Sequence, residues 1–183
     1  MSYNYQSILC ILLILACVSF LIKFIHRKEF NKALAAILVL TFILKSFCAM
    51  DNFLHEWDER YHALVAKNLL QHPLKPTLYD NPVEPYDHKN WVANYIWLSK
   101  PPLPLWFMAA SISTFGTHEF AVRLPAIIFS LLSVILTYKI GSILFSQKIG
   151  LLAALLHGIH GLLTDLASGR LSSVEWKLPF CFL

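Results

Sequence analysis

Apolar residues fall into four long blocks, separated by two short polar turns and one long polar interruption. The first block, 8–25, is broken only by Lys23 near its end. At about 1.5 Å per helical residue it approaches the roughly 30 Å of a bilayer's hydrocarbon core. The second block, 33–50, carries Lys45 as its sole charge, expected either to snorkel or to find a partner. The third, 120–145, holds Arg123 and Pro125 at one end and Lys139 towards the other. The fourth, 149–167, contains His157, His160 and Asp165. Each block predicts a transmembrane helix.

Between residues 51 and 119 the pattern changes. Residues 56–70 predict an amphipathic helix, because Trp57, Tyr61, Leu64, Val65 and Leu69 fall on one stripe at i, i+4, i+7, i+8 and i+12. Glu59, His62 and Lys67 lie off that stripe, while Glu56 and Arg60 are spaced to pair. The segment is too polar to span and is expected in the interface plane, with Trp57 and Tyr61 at headgroup depth. His72-Pro73 ends it, and Pro76, Pro82 and Pro85 prevent another helix soon after. Trp91, Tyr95 and Trp97 suit a membrane boundary. Pro101, Pro102 and Pro104 suit the first turn of a second juxtamembrane helix, 101–115. It is too short to cross and is closed by Gly116.

Composition agrees with this pattern. The chain has 183 residues, 57% hydrophobic and 14% charged, against roughly 45–50% and 25% in soluble domains. Its mean hydropathy is +0.57. The net charge of +4 is unevenly placed: Lys23, His26, Arg27, Lys28 and Lys32 separate the first two blocks, and Lys148 the last two. Short basic loops mark the cytoplasmic side, which puts 51–119 on the extracytoplasmic side. The charge is thus a topology signal and implies no nucleic-acid partner. The expected fold class is all-α: a polytopic membrane protein with about four transmembrane helices and a long extracytoplasmic loop carrying two juxtamembrane helices. The tail, 168–183, offers no further span or capping pattern and reads as truncated.

Cysteine adds little. Cys10, Cys17, Cys48 and Cys181 form no CxxC or Cys/His spacing, so disulfide and zinc readings are poor. A lipoprotein cleavage site at Cys17 is disfavoured, because no basic residue precedes the apolar run and the run continues past it.

Asp58-Glu59 is the first candidate for chemistry. A carboxylate just above the membrane can act as general base towards a hydroxyl nucleophile, gaining basicity beside Trp57 and losing it to Arg60. Acidic residues in a first turn also favour the helix dipole. Lys100 can bind a phosphate or simply snorkel. Arg123 and Arg170, at outer ends of predicted spans, face the same choice. His157 and His160 share a helix face but lack a third ligand, so a hydrogen-bonding role is expected and no metal is indicated.

A set of short motifs carries a resemblance. Trp57-Asp58-Glu59-Arg60-Tyr61 with Ala63 and Ala66 is followed by Lys100-Pro101-Pro102-Leu103 with Trp106. Phe115-Gly116, Glu119, Ala121-Val122-Arg123-Leu124-Pro125, Tyr138 and Ile140-Gly141 complete the order. Across residues 57–170 this resembles the N-terminal part of a GT-C glycosyltransferase of the protein O-mannosyltransferase and lipid A aminoarabinose transferase group.

The resemblance implies a bacterial inner-membrane enzyme that transfers a sugar, with inversion, from a polyprenyl-phosphate donor to an extracytoplasmic acceptor. It implies membrane lipid as surroundings and no cofactor beyond the donor itself. Asp58 would be the base, assisted by Glu59, and Lys100 would bind the donor phosphate. Arg123, Arg170 and Tyr61 are the remaining candidate substrate contacts. Two departures stand out: the extra span 8–25, and the lack of the further spans and outer domain of that group. An acidic residue normally follows the arginine of the fourth span, and Glu175 is its candidate here. This short chain alone is therefore expected to be inactive. The alternative is a non-catalytic membrane protein binding polyprenyl lipid or another membrane subunit. A transporter half has less support, since the charges sit at the interface and not at mid-bilayer.

Overall fold

The computed structural model describes residues 2–56, 58–89 and 94–170. Trp57, Trp91 and the tail from residue 171, including Glu175, lie outside the described residues. Among the described residues there are seven helices: α1 (Ser2–His26), α2 (Phe30–Cys48), α3 (Asp58–Asn68), α4 (Pro102–Phe115), α5 (Glu119–Leu144), α6 (Gln147–Ile159) and α7 (Gly161–Ala167). The only extended pairing among them is an isolated antiparallel bridge, Thr77 to Ile96. Ser7–His26, α2 and α5 are each long and apolar enough to cross a membrane, and α6 with α7 makes a fourth if that bent pair is one span. The chain is an all-helical integral membrane protein. It divides into two compact units, residues 51–125 and the remainder.

In the membrane unit, α1 ends at Lys28, whose φ of 58° is left-handed. The amide of Glu29 donates to Phe24 O at 2.9 Å and that of Lys28 to Ile25 O at 3.0 Å, a Schellman closure that turns the chain into α2. Leu21, Ala33, Ile37, Val134, Tyr138, Leu151 and Ala154 form the core. Helices α5 and α6 meet backbone to backbone. A Cβ on Gly150 would fall 2.7 Å from Tyr138 O, and one on Gly141 would fall 2.8 Å from Gly150 Cα. Small residues at such contacts are the usual route to close helix packing in lipid.

One feature of this unit differs from the sequence expectation, and a second decides between two expected alternatives. Residues 149–167 predict one continuous span, whereas α6 and α7 meet at 56° with His160 extended at φ −64°, ψ 122°. The break is internally satisfied: Thr164 donates to His160 O through both its amide and its hydroxyl, each at 3.0 Å. Lys45 does not snorkel. It is fully buried, and its ammonium donates to Leu163 O at 3.0 Å and to Thr164 Oγ1 at 3.5 Å. Broken spans in lipid persist where neighbouring helices supply such partners.

His157 ties α6 to α5. Its two ring nitrogens lie 3.1 Å from Ser133 Oγ and Thr137 Oγ1. The Thr137 hydroxyl donates to Ser133 O, so it accepts from Nδ1–H.

In the 51–125 unit, α3 packs on α4. On α3, Tyr61 and Leu64 are exposed, while Glu59, His62, Ala63, Val65, Ala66 and Leu69 are buried. Two polar groups off the apolar stripe thus go inward, where Glu59 meets Arg123 and His62 packs on Trp97. The segment after α3 is pinned by Asn68, whose amide donates to Thr77 O (2.9 Å) and Leu78 O (3.2 Å). Leu78 N then donates to Tyr95 O and Trp97 N to Pro76 O, which settles Trp97 in the core. Pro125 lies inside α5 and cannot donate to the carbonyl of Ala121. Buried Ser111 of α4 supplies the missing donor at 2.6 Å.

Candidate functional site

Asp58 and Lys100 are 42 residues apart in sequence, yet Lys100 Nζ lies 3.3 Å from Asp58 Oδ2. Each occupies the entrance to a helix. Asp58 is the first residue of α3, where a carboxylate is favoured by the dipole. Lys100 precedes Pro101, the N-cap of α4, and Pro102, its first residue; the prolines fix the entry angle of the chain and hence the position of the lysine. Both side chains are about a quarter exposed, 28% for Lys100 and 27% for Asp58. Lys100 stands at the edge of an open cleft of about 690 Å³, walled by Leu74, Pro76, Leu98, Pro102 and Trp106. The Trp106 indole is held by a 2.8 Å bond to Pro73 O. The cleft is thus an apolar trough with one ammonium at its rim and a carboxylate beside that ammonium.

One turn along α3 from Asp58 is His62, buried with its ring edge-on to Trp97 at 5.3 Å between centroids. Burial pushes its pKa down to about 4, opposed by the negative charge of Asp58 and reinforced by the positive charge of Lys100. The imidazole is therefore neutral at physiological pH. Trp97 sits three residues before Lys100, so this contact joins the Asp58 face of α3 to the strand-like segment that delivers the lysine.

Behind the pair lies a buried clamp. Arg123 Nε donates to Glu59 Oε1 at 2.7 Å and Nη2 to Oε2 at 3.2 Å. The remaining guanidinium donors reach Asp51 O at 2.8 Å and Phe53 O at 2.6 Å, and the amide of His55 donates to Glu59 Oε2 at 2.6 Å. The side chains are 1% and 2% exposed, Arg123 and Glu59 respectively. The sequence pattern makes Glu59 a second catalytic carboxylate and Arg123 a substrate contact. In the structure the two groups are turned away from solvent and towards each other, where a bidentate pair offsets their desolvation. Their visible work is to fold residues 51–55 against α3 and the start of α5.

Tyr61 is exposed on α3, three residues on from Asp58. Arg170 belongs to the other unit; it is exposed there, and its amide bonds to Asp165 O. Among the described residues no three His, Cys, Asp or Glu side chains gather as a metal would require. Sequence reasoning passes over His62 and Trp97. The signal for His62 was its i,i+4 spacing from Asp58, hidden because a histidine off an apolar stripe reads as solvated.

Comparison with known proteins adds one finding to this membrane-embedded, all-helical class. Residues 99–168 match the model of the dolichyl-phosphate-mannose-protein mannosyltransferase family. That segment starts one residue before Lys100 and runs through α4, α5, α6 and α7. No curated protein and no solved structure matches the chain.

Proposed function

We propose that the chain is a membrane glycosyltransferase, or the N-terminal part of one, in which Asp58 and Lys100 form the polar half of the transfer site. The observation that carries this reading is the 3.3 Å approach of Asp58 to Lys100 beside an apolar trough, with Lys100 inside the matched segment. The donor is a polyprenyl-phosphate sugar, the acceptor is extracytoplasmic, and residues 51–119 face that side of a bacterial inner membrane. Asp58 accepts the proton of the acceptor hydroxyl as its oxygen attacks the anomeric carbon. The bond to the phosphate oxygen breaks on the opposite face, inverting the centre. Lys100 offsets the charge on the departing polyprenyl phosphate.

The ion pair also gives the two residues an order of action. Donor phosphate competes with Asp58 for one ammonium, so donor binding frees the carboxylate for the acceptor. Glu59 and Arg123 then act as positioning residues. Tyr61 and Arg170 remain candidate substrate contacts, and Glu175 the candidate for the acidic residue after the fourth span.

The test uses membranes containing the chain, or the full-length enzyme where the chain is its N-terminal part, with a radiolabelled polyprenyl-phosphate sugar and a photoreactive polyprenyl phosphate. Asp58→Asn should abolish sugar transfer and leave photolabelling intact, whereas Lys100→Gln should weaken photolabelling itself. Transfer that survives Asp58→Asn removes Asp58 as base; labelling indifferent to Lys100→Gln removes the phosphate role. Labelling without transfer in the parent chain would assign it the non-catalytic, lipid-binding role.

A further inference from the structure

Helix α3 has a second working face. At 100° per residue, Arg60, Leu64 and Lys67 lie on the side opposite Asp58 and His62. They bound a separate cleft of about 240 Å³, completed by Ile112 of α4 and by Glu119 and Val122 of α5. All of these residues belong to the 51–125 unit.

Position and chemistry both constrain what the cleft holds. Glu119 and Val122 form the opening turn of α5, a membrane-spanning helix, so the cleft lies where the chain leaves the hydrocarbon, at headgroup depth. Its floor is aliphatic, and Leu64 extends that surface outward, being 39% exposed. Its rim has two cations and one carboxylate. Arg60 is pre-positioned by a bond from Nε to Leu54 O at 3.1 Å, and Lys67 is exposed two turns along the same face. Glu119 already has a role at the helix start, favourable to the dipole. His118, also on the wall, is engaged as a cap: its Nδ1 accepts from Ala121 N at 3.2 Å and its Nε2 faces Phe115 O at 3.0 Å.

A free anion would make no use of the aliphatic floor, and an acyl chain alone no use of the cations. We propose that this cleft binds one anionic phospholipid, its phosphodiester between Arg60 and Lys67 and its acyl chain over Leu64, Ile112 and Val122. The net positive charge of the rim selects a monoanionic headgroup over a zwitterionic one. A basic and apolar helix face at a bilayer surface is the general form of such recognition.

The test uses the whole chain in nanodiscs of phosphatidylcholine and phosphatidylglycerol at four to one, with retained lipids counted by native mass spectrometry. Phosphatidylglycerol should be retained well above its bulk share. Lys67→Gln should cut that preference about fivefold, and Arg60→Gln with Lys67→Gln about twenty-fivefold, from the usual gain per cation at a membrane surface. Lys75→Gln, which stands over the Tyr95 ring instead, should leave it unchanged. Retention at the bulk ratio overturns the proposal, as does equal preference in the Lys67→Gln chain, whose exposed side chain can change without unfolding. Displacement by soluble glycerophosphoglycerol would make the site one for free phosphodiester and not for lipid. No sugar donor enters the measurement, so its failure leaves the glycosyl-transfer reading standing, and the reverse.

Discussion

Replacing Glu59 by Gln keeps the shape of the side chain and removes its charge. The change strips Arg123 of its counter-ion in a place where neither group sees water: the pair is 1% and 2% exposed. Two estimates of the cost can be compared. Two charge-assisted bonds, at 2.7 and 3.2 Å, are worth roughly 1.5–3 kcal/mol each, about 3–6 kcal/mol together. Breaking a buried pair by removing one partner costs about 3–5 kcal/mol by direct precedent. The two ranges overlap, and about 3–5 kcal/mol is the expected destabilisation of the 51–125 unit.

Amide hydrogen exchange of the chain in detergent reads this locally. At tenfold per roughly 1.4 kcal/mol, amides in the interior of α3, such as those of Val65 and Ala66, should exchange two to nearly four decades faster. A second substitution sharpens the prediction. Arg123→Met alone should cost a similar amount, because it isolates Glu59 and strips the carbonyls of Asp51 and Phe53 of a donor. Combined with Glu59→Leu it should cost less than the two singles added, since an apolar pair carries no uncompensated charge. Additive costs, or an α3 whose exchange is indifferent to Glu59→Gln, would refute the view that this pair holds the unit together.

Three further outcomes follow from other contacts. Ser111→Ala should destabilise by about 1–3 kcal/mol by leaving a buried carbonyl at Ala121 without its donor, but by much less in a Pro125→Ala background, where the restored amide can donate; equal losses in SDS unfolding would exclude this compensation. Gly150→Ala should force α5 and α6 apart by driving a methyl to 2.7 Å from Tyr138 O, costing about 1–3 kcal/mol; an unchanged melting transition would contradict the contact. His62 has a folded pKa near 4 against 6.5 for the free group, so the unfolded chain takes up the proton first as pH falls. Its contribution is complete above pH 6.5 and is lost progressively towards pH 4, by up to about 3 kcal/mol. His62→Phe should flatten that part of the stability profile, and a profile identical to the parent's would disprove the burial argument.

What could be read from the sequence was whatever depends on neighbours along the chain. Runs of apolar residues mark α1, α2 and α5 because a span must satisfy its own backbone and face lipid. Prolines at 101 and 102 and Gly116 bracket α4 for equally local reasons. The rest depends on partners far away. Glu59 and Arg123 are 64 residues apart, and only their meeting makes burial of either tolerable. Without it, periodicity sets Glu59 and His62 off the apolar stripe and gives no reason to bury them. Snorkelling and pairing both stay open for Lys45 because its acceptor, Leu163 O, is 118 residues away. Gly158 and Gly161 around His160 were the available hint of the break between α6 and α7, since glycine weakens a helix interior.

The distinction bears on the candidate site itself. Asp58 and Lys100 were visible as residue types near a boundary, each with an ordinary structural explanation. Their approach to 3.3 Å changes the balance, because neither explanation requires it: a carboxylate favouring a helix start needs no lysine, and a snorkelling lysine needs no carboxylate. The contact depends instead on a chain of less conspicuous interactions. Arg123 holds residues 51–55 and Glu59, Asn68 holds the segment after α3, Trp97 sits on His62, and the prolines then aim Lys100. These positioning contacts should therefore be the more sensitive to substitution. A small rotation of α3 would separate the pair, whereas loss of a single exposed wall residue of the cleft would leave its geometry intact.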